Sequence, residues 1–480
     1  MHHSPPDDCR RDITGPGLAR RHFNALAGGL WLGAAPRARS ADPRAQPGTA
    51  AEAGGAGRWS NWSGLQHCAP QQWQGPADEN ELAALLTGAP GPLRFVGAGH
   101  SFSPLVPTSG TLVVMDGFSG VRRHDAATQR VTVGAGMRIA ALALQLEELG
   151  LALPNQGDID VQSLAGSYAT GTHGTGASLP ALHAQVRALR LITPAGQLLE
   201  ASRERRPELF DAARVSLGTL GALTEVELEV QPRFYLRRRV WTAPTEELLE
   251  AAPRLATAHR HFELFVLPHT GWSAGIVHDE VPAQPPHRAG SDDERLLTDL
   301  RRLRTLLGPW PALRRWMAGR LIGGREEVSV DLSWRLLSNI RDTRFNESEY
   351  HVPAEQGIAC LREVLAVLER HNEAYFPIEF RHVAADDAWL SPFYQRASCC
   401  IAVHAAANEP YAYLLKEVGP VFRRHEGRPH WGKLHDMEPG ELAELYPRWR
   451  DFLALRRELD PGGRLLNEHL GRLFGEPANG

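Results

Sequence analysis

The chain has 480 residues and a formal net charge of −4, enough sequence for two packed cores. Residues 1–40 hold six arginines and three aspartates, and without them the charge is −7, which argues against a nucleic-acid partner. No tandem repeat is visible, and the five cysteines show no Cys-x-x-Cys spacing of the kind that holds a metal.

Arg20-Arg-His-Phe-Asn24 precedes a mildly apolar run over residues 25–35 and a small-residue stretch ending near Ser40. The run is too short to cross a bilayer as a helix. It resembles a twin-arginine export signal, the bacterial route for proteins already folded around a cofactor, which predicts an exported, periplasmic protein with a signal over residues 1–40. An arginine-rich leader without that role is the other reading. Residues 41–59, rich in Ala, Gly and Pro, read as a linker.

The first segment that carries chemistry is Arg94-Phe-Val-Gly-Ala-Gly-His-Ser-Phe-Ser103, a glycine turn leaving an apolar run. Glycine has no Cβ, so bare backbone N–H groups at such a turn can approach a pyrophosphate. His100 follows directly, within reach of a cofactor ring. The third glycine and the helix of the nicotinamide-type fingerprint are missing. Residues 138–149 then read as a helix closed by Gly150. Beyond it, residues 154–176 are too broken by glycine for a long helix or strand. Gly166, Gly171, Gly174 and Gly176 would expose main-chain amides, while Thr170, Thr172 and Thr175 offer hydroxyl donors to a phosphate or a flavin carbonyl. A flexible surface loop would explain the glycines but not the threonines and His173 interleaved with them. Residues 187–193 and 197–201 read as a hairpin, and Ser216-Leu-Gly-Thr-Leu-Gly-Ala-Leu-Thr-Glu225 leads into an alternating strand over residues 226–230.

In this order, Gly97-Ala-Gly-His-Ser101, Gly171-Thr-His-Gly-Thr175 and the 216–225 segment resemble the vanillyl-alcohol-oxidase type of FAD-binding protein, with a PCMH-type FAD domain over residues 60–232. The resemblance implies FAD contacts at Gly97, Ala98, Gly99, His100, Ser101, Gly157, Ser163, Gly166, Thr170, Gly171, Thr172, His173, Gly174, Thr175, Gly218 and Gly221. In many relatives the histidine of the first motif is bonded covalently to the methyl group of the flavin's benzene ring, a role that falls to His100 here. Such a link removes the cofactor's dissociation equilibrium and raises its reduction potential, which suits oxidation of an unactivated sugar hydroxyl. Gly157 stands where lactone dehydrogenases of the family tend to carry a slightly larger residue that screens the flavin from dioxygen. A glycine there implies a path for oxygen, although a turn after Pro154-Asn155 would also ask for one.

From residue 234 strands such as 262–267 alternate with helices such as 355–370. This predicts an α+β fold of two domains, the PCMH-type FAD domain and a substrate (cap) domain over residues 233–480 whose last helix, 446–459, returns to the first. After a Pro-rich loop, residues 293–323 place leucines, Trp310, Trp316 and Met317 among arginines, a helical pair that either lies on an anionic membrane surface or packs on its own domain. Cys399 and Cys400, in a segment that alternates too little for a surface strand, read as core thiols. Residues 376–382 read as a strand on which Glu379 and Arg381 share a face, and the pair alone fits a structural ion pair as well as a site. Arg428-Pro-His-Trp-Gly-Lys-Leu-His435 lies on a turn between helical stretches.

The Glu-x-Arg strand followed by His-Trp-Gly-Lys is similar to the sugar-1,4-lactone oxidases, the group of gulonolactone oxidase, arabinonolactone oxidase and galactonolactone dehydrogenase, and to the bacterial enzymes that oxidise alditols. The resemblance implies that Glu379 orients the substrate hydroxyls, that Arg381 stabilises the anion formed on flavin reduction, that Lys433 adds positive charge and a substrate hydrogen bond, and that His430 supports the turn. Fixed cations aimed at developing charge act most strongly in a dry site. Glu379, His430 or a group behind them could take the proton. The chain is thus expected to oxidise a sugar lactone with FAD, passing electrons to dioxygen. The rivals are an alditol oxidase, a lactone dehydrogenase serving a quinone or cytochrome, and a flavin- or sugar-binding protein without turnover.

Overall fold

The computed structural model describes residues 57–289, 293–339 and 343–477, all within the compact unit Gln46–Gly480. The signal expected over residues 1–40 and nearly all of the linker expected over 41–59 lie outside the described residues.

Strands β1 (Gln72–Gln74), β2 (Leu93–Val96) and β3 (Thr111–Val114) form a parallel sheet in the order β1-β3-β2. Parallel neighbours need a crossover, and α1 (Glu79–Gly88) supplies it between β1 and β2. Asp78 caps this helix by accepting the N–H groups of Asn80 and Glu81, while Leu82 and Leu86 bury their side chains against Leu93 and Val113. Five further strands, β4 (Val121–Asp125), β5 (Arg130–Gly134), β6 (Val186–Ile192), β7 (Leu198–Ser202) and β8 (Ala222–Glu229), make an antiparallel sheet in the order β7-β6-β8-β5-β4. In β8 the alternation read from the sequence holds, with Val226 and Leu228 buried and the glutamates between them turned outward. Helices α2 (Ile139–Glu148) and α3 (Leu164–Ala169) flank this sheet on the way to β6.

The second half is built on one antiparallel sheet of eight strands: β9 (Tyr235–Pro244), β10 (His261–Leu267), β11 (Trp272–Val281), β12 (Glu326–Leu332), β13 (Phe345–Pro353), β14 (Ile378–Val383), β15 (Ser398–Ala406) and β16 (Arg428–Pro429). Their order is β12-β9-β11-β10-β14-β15-β13-β16. Every residue of β15 is buried, as a strand covered on both faces requires. Cys399 and Cys400 are free core thiols there. The hairpin of α4 (Asp293–Leu307) and α5 (Pro311–Ile322) packs Leu300, Leu303, Ala318 and Ile322 against Leu267, Tyr375 and Phe376. Its other side leaves Leu306, Trp310, Leu313, Trp316 and Leu321 exposed. Helix α6 (Gly357–Leu368) covers β15.

The chain then returns. Between α7 (Trp449–Leu459) and α8 (Glu468–Phe474), Arg464 O accepts the Leu93 N–H at 2.7 Å, and the Arg94 guanidinium donates to Leu465 O at 2.6 Å. One hydrophobic cluster runs from Leu105 to Phe474 and takes in residues of both large sheets.

Eight histidines are held below their ordinary value of 6.5 by burial: His100, His261, His278, His351, His382, His430, His435 and His469. The unfolded chain takes up protons near pH 6.5 that the folded chain refuses, so their contribution to stability is complete above that pH and is lost as pH falls toward 4. Each can remove up to about 1.4 kcal/mol per pH unit in that window. The urea midpoint is therefore expected to fall steadily from pH 7.5 to pH 5, and a midpoint independent of pH over that range would contradict this reading.

Candidate active site

Strand β2 ends at Val96 and the chain turns at once through Gly97. A Cβ on Gly97 would lie 2.1 Å from Ser163 Oγ, so only glycine lets this turn meet the N-cap of α3, where Ser163 Oγ accepts the Gly166 N–H at 3.4 Å. Gly99 adopts φ of +66°, the left-handed region that glycine enters freely. The two glycine motifs thus share one wall of a cavity of about 120 Å³, lined by Gly97, Ala98, Gly99, His100 and Ser101, by Ser163, Gly166 and Thr170, and by Gly218 and Gly221. No carboxylate lines it. Among the described residues no main-chain oxygen accepts the amides of Ala98 to Ser101. Bare amides, hydroxyls and little side-chain bulk fit the pyrophosphate and ribityl chain of a dinucleotide.

The other residues expected to contact the cofactor lie outside the lining of this cavity. Gly157, Gly171, Thr172, His173, Gly174 and Thr175 do not line this cavity. The loop leaves its wall and dives into the interface with the large sheet, where its polar groups are satisfied by protein. Thr175 Oγ1 donates to Phe262 O at 2.6 Å, and His173 lies between Gly174 O at 2.8 Å and a Glu349 carboxylate oxygen at 2.9 Å. Thr172 Oγ1 faces Gln162 Nε2 at 3.5 Å, and Gly157 O accepts the Ser338 hydroxyl at 3.1 Å. Gly171 lies under Pro392, and Gly174 is pressed on Gln156 O.

His100, Ser101 and Thr170 also bound a smaller chamber, of about 50 Å³, whose far wall is Phe345, Glu347, His430, Gly432 and Lys433. Hydrogen bonds bring that C-terminal turn to the first motif. The Phe102 N–H donates to Gly432 O at 2.7 Å and the Ser103 hydroxyl to Trp431 O at 2.6 Å. The turn is also pinned to β13, His430 N–H to Glu349 O at 3.0 Å and Leu434 N–H to Glu347 O at 2.9 Å. Trp431, with no exposed surface, donates its indole N–H to Leu390 O at 2.7 Å. Sequence distance between the motifs is therefore no guide to their separation in space.

Charge in the chamber is fixed by these neighbours. Lys433 Nζ pairs with the Glu347 carboxylate and lies 5.0 Å from the centre of the Phe102 ring. Burial works to raise Glu347, but Lys433 and His404 outweigh it and hold the carboxyl at about 2. His100 stacks on Trp62 with ring centres 5.2 Å apart, and burial, with Lys433 and Arg138 nearby, brings it down to about 4. Its ring is neutral at physiological pH, with a nitrogen lone pair available for bonding. Burial brings His430 to about 3, and its Nδ1 accepts the Gly432 N–H at 3.0 Å. The proton of this neutral ring is therefore on Nε2. His430 can donate but not accept, which removes it from the groups that could take the substrate's proton.

Glu379 and Arg381 share a face of β14, as the two-residue period requires, and form an ion pair. They do not join Lys433 in the small chamber. Glu379 lines a neighbouring cavity on the far side of Phe345. Arg381 is buried between carboxylates, with Glu263 at 3.3 Å and Asp158 at 3.8 Å. Burial would lower Arg381, but Glu379, Glu263 and Asp158 keep it well above its usual value, whereas burial and those same carboxylates push Glu263 up. His404 connects the two groups, its Nε2 lying 3.6 Å from Glu347 and 4.0 Å from Glu379.

Glu263, Phe345, Glu347, Glu349 and His404 escaped the sequence reading. A signal was present in β13, where Glu347, Glu349 and His351 recur at a two-residue period just before Pro353. A lone glutamate in the apolar strand β10 was another. His173, Glu349, His351 and Cys400 place metal-type ligand atoms within 4.8 Å of one another, and His173 is hydrogen-bonded within the protein at both ring nitrogens, to Gly174 O and to Glu349.

Known proteins give this geometry its class. An FAD binding domain profile matches residues 70–202. The fold superposes on cholesterol oxidase from B. sterolicum with a TM-score of 0.69, over 87% of this chain and 96% of that one, at 16% identity, which is a likeness of fold. The protein is a flavin-dependent oxidoreductase with a PCMH-type FAD domain. The D-arabinono-1,4-lactone oxidase profile matches residues 226–473, more than half of the chain, and the chain belongs to that family. It is 36% identical to L-gulono-1,4-lactone dehydrogenase of Mycobacterium tuberculosis, over 87% of this chain and 99% of that one. It is 30% identical to L-gulonolactone oxidase of Bos taurus (87% and 98%) and 30% identical to alditol oxidase of a Streptomyces species (86% and 98%).

The Lys433 and Glu347 pair can be tested for coupling. Lys433→Met leaves the Glu347 carboxylate, 6% exposed, buried without its ammonium, at a cost of about 3 kcal/mol. The Glu347→Gln/Lys433→Met double variant is expected to lose less than the single one in urea unfolding of the FAD-loaded protein. An equal or larger loss in the double variant would contradict the pairing.

Proposed function

We propose that the protein oxidises a hydroxyl of a sugar-1,4-lactone of the arabinono- or gulonolactone type and that dioxygen reoxidises the cofactor. The observation that carries this reading is one chamber faced by His100 and Ser101 from the glycine turn and by Lys433 and His430 from the C-terminal turn. FAD, when bound, supplies the acceptor for the hydride. The chain holds and polarises the substrate. Lys433 donates to the hydroxyl oxygen and places positive charge beside it, His430 donates through Nε2, and the Glu347 carboxylate keeps the ammonium in position. Glu379, reached past Phe345, orients the remaining hydroxyls, and Arg381, its ion-pair partner, fixes its position. Burial of Glu347 and His430 strengthens each of these interactions.

The test is anaerobic mixing of the purified protein with D-arabinono- and L-gulono-1,4-lactone and with open-chain alditols. Bleaching of the flavin absorbance by the lactones is expected, and Lys433→Ala should slow it about 100-fold without loss of flavin. Bleaching by alditols alone would move the substrate class. For the acceptor, the dioxygen reading rests on the family resemblance at Gly157, where the lactone dehydrogenases tend to carry a larger residue; Gly157→Ala, whose Cβ would meet Thr172 Cγ2 at 3.3 Å, is expected to slow reoxidation by oxygen while leaving bleaching unchanged. Unchanged reoxidation would favour the dehydrogenase reading.

The neutral, Trp62-stacked His100 supports a covalent bond from its ring nitrogen to the flavin's benzenoid methyl group. In His100→Ala the flavin is expected to separate from protein on acid precipitation, and flavin that stays with the precipitate would place the link elsewhere.

We also propose peripheral contact with an anionic lipid surface. Five of the eight exposed large apolar side chains among the described residues lie on the α4–α5 hairpin, from Leu306 to Leu321, and the Arg320 guanidinium lies over the Trp316 ring at 4.9 Å. Apolar and basic groups on one face suit an interfacial helix, and among the described residues no helix is long and apolar enough to cross a membrane. Sedimentation with phosphatidylglycerol vesicles is expected and should weaken in 0.5 M salt and in Trp310→Ser/Trp316→Ser; equal sedimentation with neutral vesicles would contradict it.

A further inference from the structure

The cavity beyond Phe345 has an apolar middle that a bare sugar leaves unused. At about 170 Å³ it is larger than the chamber. Polar groups stand at both ends, Glu379, Glu263 and His404 at one and Arg325, Glu326 and Glu327 by the edge strand β12 at the other, and Arg238, Thr242, Asn339 and Thr343 also line it. Between the ends the sheet contributes Val240, Phe265, Ala274 and Ile276, and the hairpin adds Leu296 and Ile322 as a roof. Sugar hydroxyls placed along these walls would leave water for surfaces that cannot hydrogen-bond. An alkyl or aryl group would bury apolar surface there instead.

Continuity with the site gives the cavity its role. The Phe345 ring belongs to both linings and sits edge-on to His404 at 4.8 Å and stacked with Phe102 at 5.7 Å. The line Glu347, His404, Glu379 runs alongside it from one space to the other. A ligand with its polar end at Glu379 and His404 therefore points its hydroxyls toward Lys433 past Phe345, with any apolar substituent lying back under the hairpin.

We propose that this cavity binds the apolar substituent of the substrate, so that the protein prefers a hydroxylactone or vicinal diol bearing an alkyl or aryl group over the unsubstituted sugar. This rests on the chamber being the site of oxidation. Phe345 then acts as the specificity-determining residue between head and tail.

Two measurements on the FAD-loaded protein separate the inference from the reading beneath it. The first is kcat/KM for 1,2-butanediol, 1,2-hexanediol and 1,2-octanediol. Each buried methylene is worth about a fourfold gain, so a rise of at least tenfold along the series is expected, mostly in KM, with Ala274→Phe flattening it. The second is binding of the neutral fluorophore N-phenyl-1-naphthylamine, expected to be displaced by 1,2-octanediol in the wild type and reduced in Ala274→Phe and in Ile276→Asn. Turnover of lactones with no chain-length preference and no displaceable fluorophore would overturn the inference and leave the oxidation reading intact. Displacement without turnover of any alcohol would keep the binding site and overturn that reading. A chain-length effect seen only when quinone acceptors are varied would assign the cavity to the acceptor and overturn the inference.

Discussion

Everything in the site depends on the docking of one turn on another. The Phe102 amide donates to Gly432 O and the Ser103 hydroxyl to Trp431 O, joining segments more than 300 residues apart. Each bond contributes only about 1 kcal/mol net. Their weight is geometric, because His100 leaves the chain two residues before one bond and Lys433 one residue after it. Trp431, buried and stacked with Trp449 at 6.2 Å, anchors the C-terminal turn in a core shared by both halves. The His100 ring and the Lys433 ammonium thus face one chamber because backbone carbonyls hold them there.

Around that joint the protein buries charge in two connected groups. Glu347 and Lys433 form one, Arg381 with Glu379, Glu263 and Asp158 the other, and His404 stands between them. Buried ion pairs add little net stability, because desolvation consumes most of the attraction. They do fix ionisation states: the carboxylates around Arg381 hold it well above its usual value, while burial holds His100 and His430 below theirs. A fixed ammonium and a neutral His430 beside one chamber are the features on which the proposed oxidation draws.

Much of this was legible in the sequence where local rules act alone. The glycine turn after β2, the hairpin of β6 and β7, the alternation in β8 and the shared face of Glu379 and Arg381 each follow from spacing within a few residues. The loop over residues 171–175 was harder, since its glycines and threonines look the same whether they meet a cofactor or a carbonyl of the neighbouring sheet. Only the tertiary path shows Thr175 turned to Phe262 O. Glu347 and His404 were invisible for a related reason: they face each other across β13 and β15, and register between strands separated by 50 residues leaves no mark on either segment. The α4–α5 hairpin carried two readings: one face packs on its own domain, and the exposed face leaves the membrane reading as a proposal.

Hydrogen exchange at the Phe102 amide tests the central joint most directly. If the turn docks as described, this amide is protected to the level of the β13 and β15 core, exchanging only when the protein unfolds as a whole. Exchange at the rate of an exposed loop amide, with the β strands still protected, would mean that the C-terminal turn is not held against the glycine turn and that the chamber between His100 and Lys433 is not a fixed feature of the molecule.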